Sequence, residues 1–149
     1  MPPIGYSAYN KVTEQTTDNK EKILLMLLDG AIRFTRFAKM GLERKSPKLK
    51  GENISKVIAI ISELDCALDK EVNEELVYHL SGLYQYILTR LTHANINNVA
   101  EPLQEVEGIL TKIKEGFEGA VTSKPKSNVH IIDENDNSDN ATQRLSLAA

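Results

Sequence analysis

Along four stretches of the chain, apolar residues recur at steps of three and four, the spacing that gathers them on one face of a helix. The pattern is clearest through Leu80, Leu83, Tyr84, Ile87, Leu91 and Ala94. Asn73 can cap that helix, which is expected to reach about Asn95. Upstream, residues 20–42 carry two neighbouring apolar strips. Leu24, Leu28, Ala31 and Ala38 form one, and Ile23, Leu27, Phe34 and Phe37 the other. Two strips imply that this helix touches more than one partner. Asp18 with Glu21 supplies a capping box for its start. Gly30 costs the helix some stability and is expected either to permit close backbone approach or to be a tolerated defect, and Gly41 to mark a fraying end.

Ser46-Pro47 opens the second helix, a capping hydroxyl followed by proline where its missing donor does no harm. That helix runs to about Leu68 with Ile54, Val57, Ile58, Ile61, Leu64 and Leu68 inward, its start open to slipping as far as Glu52 because of Gly51. Asn98 with Glu101 is expected to box the fourth helix, which presents Val99, Leu103, Val106, Leu110, Ile113, Phe117 and Ala120. Connectors mostly under ten residues favour antiparallel neighbours. The chain is therefore expected to be all-α: an antiparallel four-helix bundle over residues 18–120, between a polar arm (1–17) and a tail (121–149). The tail holds an apolar island, Val129-His130-Ile131-Ile132, then the acidic run Asp133-Glu134-Asn135-Asp136-Asn137-Ser138-Asp139-Asn140. Such a composition cannot form a core, so disorder is expected.

Composition narrows the function more than the fold. With 18 basic and 21 acidic residues and no basic stripe along a predicted helix, nucleic acid is not an expected partner. The longest apolar run, residues 23–28, is too short to span a bilayer, and no basic start with an apolar run marks a secretory signal. The single cysteine cannot form an intramolecular disulfide. A cytoplasmic protein is expected. Bundles of this kind can hold two metals, but that needs Glu-x-x-His on two helices, and the motif is absent. Glu75 and His79, four apart, read as a surface contact. Cys66 has no histidine close by in sequence, and the glycines form no phosphate loop. No enzyme, metal or cofactor is expected.

Binding is a better prospect. Tyr84 and Tyr86 lie about 200° apart around the helix axis, so they cannot share a core. With Leu83, Ile87 and Leu91 taken as inward, Tyr84 falls at the border and Tyr86 on another face, where Arg90 follows four residues later. An outward tyrosine and arginine suit a protein interface, by rigid aromatic area and a multi-donor fork.

These residues resemble those of the flagellar export chaperone family FliS. The resemblance rests on Leu83-Tyr84-x-Tyr86 with Arg90-Leu91-x-x-Ala94-Asn95, and on Met26-Leu27-x-Asp29-Gly30-Ala31-Ile32-Arg33-Phe34. Ile60-Ile61-x-x-Leu64-x-x-x-Leu68-Asp69 and Tyr6-x-x-Tyr9 complete it, over roughly residues 6–120. Two features depart from the family: Thr16-Thr17-Asp18-Asn19 replaces a Ser-Pro or Thr-Pro start, and Leu28 stands where relatives often have tyrosine. The resemblance implies a chaperone that binds the C-terminal segment of flagellin, which folds into helices as it wraps the bundle. It implies that the arm bearing Tyr6 and Tyr9 is a removable cap. Tyr6, Tyr9, Leu27, Ile32, Phe34, Tyr84, Tyr86, Arg90 and Asn95 are the candidate contacts, with Asn95 alternatively ending its helix. Export-gate components and flagellar regulatory proteins are further candidate partners, and a homodimer is a candidate state without client.

Overall fold

The structure, a computed structural model, describes residues 4–123, and the side chains of 19–120. Four helices account for nearly all of it: α1 (Ile4–Glu43), α2 (Pro47–Cys66), α3 (Glu74–Asn97) and α4 (Glu101–Ser123). α1 lies beside α2 and α4, and α3 beside the same two, so the helices close a square. Cross-helix contacts give the directions. Asp29 meets Lys114 and Arg36 meets Glu107; Asp65 meets Gln85 and Lys50 meets Asn95; Tyr86 meets Glu105 and Arg90 meets Glu101. In each pair one number rises as the other falls, so these neighbours are antiparallel.

The core is aliphatic. Leu28, Ala31, Ile54, Val57, Ile61, Leu80, Ile87, Leu91, Leu103, Val106 and Leu110 interdigitate at the centre, with Phe117 toward the end of α4. Burying a side chain of this size contributes about 1.5–3 kcal/mol each.

Two expected starts are found. Ser46 has extended backbone and its hydroxyl accepts from the Leu49 N–H at 3.2 Å, with Pro47 the first helical residue despite Gly51. The Asn73 side-chain oxygen accepts from the Leu76 N–H at 3.0 Å. Two others are corrected. α1 runs unbroken from Ile4 through Asp18, so Asp18 is no cap, even though its neighbours Thr16, Thr17 and Asn19 are weak helix formers. Asn98 does not box α4: it takes the left-handed conformation (φ 55°, ψ 44°) and ends α3, a conformation asparagine tolerates. Asn95, three residues earlier, stays helical.

α1 ends in a Schellman turn. The Lys45 N–H donates to the Leu42 carbonyl at 3.2 Å and the Ser46 N–H to that of Gly41 at 2.8 Å, with Lys45 at φ 53° where glycine is usual. The turn folds the start of α2 hard onto α1. A β-carbon on Gly41 would lie 2.4 Å from the Lys50 nitrogen, so the close approach is here and not at Gly30, where a β-carbon meets nothing within 3.7 Å.

Candidate functional site

Helical spacing leaves an apolar stripe on the outside of α1. Ile23 is 55% exposed, Met26 71% and Phe37 in part, with half-buried Leu27 and Phe34 between them on the same side. Fourteen residues separate Ile23 from Phe37, a ridge about 21 Å long at 1.5 Å per residue. This is the second of the two strips read from the sequence. Its inner members Leu27 and Phe34 pack against the core, Phe34 beside Lys56 of α2, while Ile23, Met26 and Phe37 stay open; the Leu28–Ala31–Ala38 strip is fully buried, and α1 meets both α2 and α4. Gly30, on the same side, is buried, and a β-carbon there would face Ile60 of α2 and the Phe34 ring. Arg33 and Lys56 hold their cationic groups 5.4 and 5.1 Å from the Phe34 ring centre, and Phe37 tilts against it at 6.5 Å. The ridge is thus apolar along its length and cationic at one flank.

A second surface lies where α3 meets α4. The Tyr86 hydroxyl donates to Glu105, and Arg90 lies 3.4 Å from Glu105 and 4.0 Å from Glu101. That bond to a carboxylate, with some burial, pushes the tyrosine hydroxyl above its ordinary pKa. Tyr86 and Arg90 do share a face, as the sequence indicated, but they are engaged with α4. The Arg90 Nε is buried and makes no hydrogen bond. Tyr86 remains 45% exposed and Leu83, expected inward, 39% exposed beside it. Leu83 sits at the rim because the core face is centred on Tyr84 and Leu91.

The candidate residues separate accordingly. Leu27 and Phe34 belong to the α1 ridge, and Tyr86 and Arg90 to the α3–α4 edge. Tyr84 is not a border residue but core, 1% exposed, with burial and then Asp65 raising its pKa; Ile32 is buried on the side of α1 away from the ridge. Neither offers surface to a partner. The Asn95 carbonyl accepts from the Lys50 ammonium at 2.9 Å, an end-of-bundle contact. The side chains of Tyr6 and Tyr9 lie outside the described residues, though their backbone is part of α1. The sequence reading missed Met26, Ile23 and Phe37 as surface. Periodicity finds apolar faces and does not tell which of two adjacent faces is covered. Cys66 is exposed at the end of α2, and His79 stands 4.0 Å from Glu75, the surface pair expected. Among the described residues no three potential ligands converge on a metal site, and no helix is long and apolar enough to cross a membrane.

Comparison with known proteins agrees with this architecture across all four helices. The family model described as "Flagellar protein FliS" matches residues 4–124. The flagellar secretion chaperone FliS of Salmonella typhimurium is 37% identical over 117 residues, covering 76% of this chain and 87% of its own. FliS of Bacillus subtilis is 34% identical over 121 residues, 81% of this chain and 89% of its own. The flagellar secretion chaperone FliSB of Pseudomonas aeruginosa is 35% identical over 109 residues, 72% and 86%. A family model over residues 4–124 and relatives above 30% identity along most of their own length show that the chain belongs to the FliS family of flagellar proteins.

Proposed function

We propose that this chain is a cytoplasmic export chaperone that holds the C-terminal segment of flagellin, keeps it from polymerising early, and supports its delivery to the flagellar type III secretion system. One observation carries the reading: in a family of secretion chaperones, this bundle leaves the Ile23–Met26–Phe37 ridge uncovered. A segment that folds as an amphipathic helix can lay its apolar positions along such a ridge. Ordering it costs conformational entropy, which only a long contact offsets, so the α1 ridge and the Tyr86–Arg90 edge act as parts of one extended path. Leu27 and Phe34 contribute with Ile23, Met26 and Phe37, while Ile32 and Tyr84 support them from the core. Residues 1–17, with Tyr6 and Tyr9, cover part of this surface when the client is absent, in a state in which α1 breaks between them and the ridge.

The test is a titration of the full chain with a peptide from the C-terminal end of the same organism's flagellin, followed by calorimetry and far-UV circular dichroism. Saturable binding with a gain of helix beyond the sum of the parts is expected. Binding with no gain of helix would instead favour an adaptor that docks a folded partner. No binding at all would remove flagellin as the client.

A further inference from the structure

The end of the bundle formed by the α1–α2 turn and the α3–α4 turn carries a cavity of about 360 Å³ lined by Leu42, Lys45, Ser46, Pro47, Lys50 and Asn98, with Gly41 at its floor. No lining residue is acidic, and two are lysines. Lys50 is the unusual one. It is 9% exposed, and its ammonium donates to the Asn95 carbonyl at 2.9 Å and the Asn98 side-chain oxygen at 2.5 Å, both neutral. An ammonium has three donors, so one is left over. The C-terminus of α3 offers it roughly half a negative charge, which leaves the site positive. Buried charges in proteins are ordinarily paired. Here none of Arg44, Lys45, Lys48 and Lys50 forms an ion pair with a described carboxylate, although Glu43 and Glu52 are near in sequence. Two cations, Lys45 and Lys50, thus line the cavity, with Arg44 and Lys48 beside them in sequence, and none of the four has a counter-charge among the described residues.

The same chain contains the complement. Asp133, Glu134, Asp136 and Asp139 place four carboxylates within seven residues, with no cation among them. Length allows the two to meet. α4 begins at the cavity end and runs 23 residues away from it, about 34 Å. Position 136 follows Ser123 by thirteen residues, enough to return about 43 Å when extended. Tethering also sets the local concentration of the run near the millimolar range, so individually weak charge contacts suffice.

We propose that this cavity is a carboxylate-binding site filled in cis by the acidic run at residues 133–139. The run supplies the charge that Lys50 and Lys45 lack, and it lies across the two turns without occupying the α1 ridge. The site is independent of the client proposed above.

Backbone amide NMR spectra of the full chain test this, comparing it with a variant carrying Asp133→Asn, Glu134→Gln, Asp136→Asn and Asp139→Asn. At about 20 mM salt, neutralising the run should shift the amides of Lys45, Ser46, Lys48, Lys50 and Asn98 and leave those of Met26 and Phe37 unmoved. Raising salt to about 500 mM should reproduce the shift in the parent chain and have little effect at those amides in the variant, since screening removes the same contact. Lys45→Gly removes one cavity charge at a position whose backbone suits glycine; in that background the tail substitutions should shift the same amides at most half as far. Unchanged amides at the cavity would overturn the proposal. So would shifts clustered instead at Arg33 and Lys56, or tail effects undiminished by Lys45→Gly.

Discussion

A β-carbon added at Gly41 would come within 2.4 Å of the Lys50 nitrogen and 2.8 Å of its α-carbon, backbone atoms that a side-chain rotation cannot move aside. One added at Gly30 would touch the Ile60 Cδ1 at 3.7 Å and the Phe34 ring at 3.9 Å, ordinary contact distances. Two glycines in one helix therefore respond in opposite directions to the same change. Gly41→Ala is expected to destabilise the bundle by about 1–3 kcal/mol through overpacking. Gly30→Ala is expected to stabilise it by up to about 1 kcal/mol, because alanine is the better helix former. Denaturant midpoints of the full chain distinguish the two. From the sequence Gly30 could serve a close approach or be a tolerated defect, and Gly41 read as a fraying end; the close approach is instead at Gly41. Spacing along a helix identifies its inward face, whereas the height at which a neighbour's backbone crosses depends on the turn between them. That turn, with Lys45 left-handed, carries no glycine to announce it.

At the level of elements, α1 was readable as doubly apolar and its caps on α2 and α3 were readable outright. Ser46-Pro47 and Asn73 act within three residues of themselves, so no distant part of the chain can override them. The start of α1 and the cap of α4 failed because an oxygen at the right spacing is a cap only if the helix actually stops there. The α1 ridge illustrates the same limit: the sequence contained Ile23, Leu27, Phe34 and Phe37 as a strip but not which of its members the neighbouring helix leaves open. Met26→Asp is expected to leave the thermal melt unchanged, since the side chain is 71% exposed, and to weaken binding of the flagellin peptide at least about tenfold, or 1.4 kcal/mol. Equal affinity would take the ridge out of the client's path. The opposite side of α1 meets α4 through charge. Glu107 accepts from Arg36 at 2.6 Å and from Lys39 at 2.5 Å, and Asp29 accepts from Lys114 at 2.8 Å. Burial alone would raise the Glu107 pKa, but the bonds from Lys39 and Arg36 outweigh it and hold it below the ordinary carboxylate value, while the Lys114 bond and charge lower that of Asp29. A carboxylate with a depressed folded-state pKa stabilises above its unfolded value and loses that contribution as the pH falls through the folded one. Thermal stability should therefore decline as the pH falls through and below the ordinary carboxylate range, and Glu107→Gln should flatten part of that decline. The groups are partly solvated, so the effect is modest. An identical acid slope in the variant would show that the seam does not depend on this carboxylate.

For the molecule as a whole, helix number, order and antiparallel sense were legible because short connections leave a chain few other ways to bury four apolar faces. Which surface remains open was not, since it depends on rotation about each helix axis, and a single step such as Leu83 against Tyr84 decides core or rim. The square arrangement also divides the contacts by their separation along the chain. Three of its four seams join consecutive helices and form as local hairpins. Only the α1–α4 seam unites distant parts, its pairs lying 68 to 85 residues apart. Closing it is where loop entropy is spent, and the rest is a topology of low contact order, the kind that folds in microseconds to milliseconds. The bundle can therefore assemble as two hairpins that shut along one charged edge, and that edge is the natural line along which it would first come open.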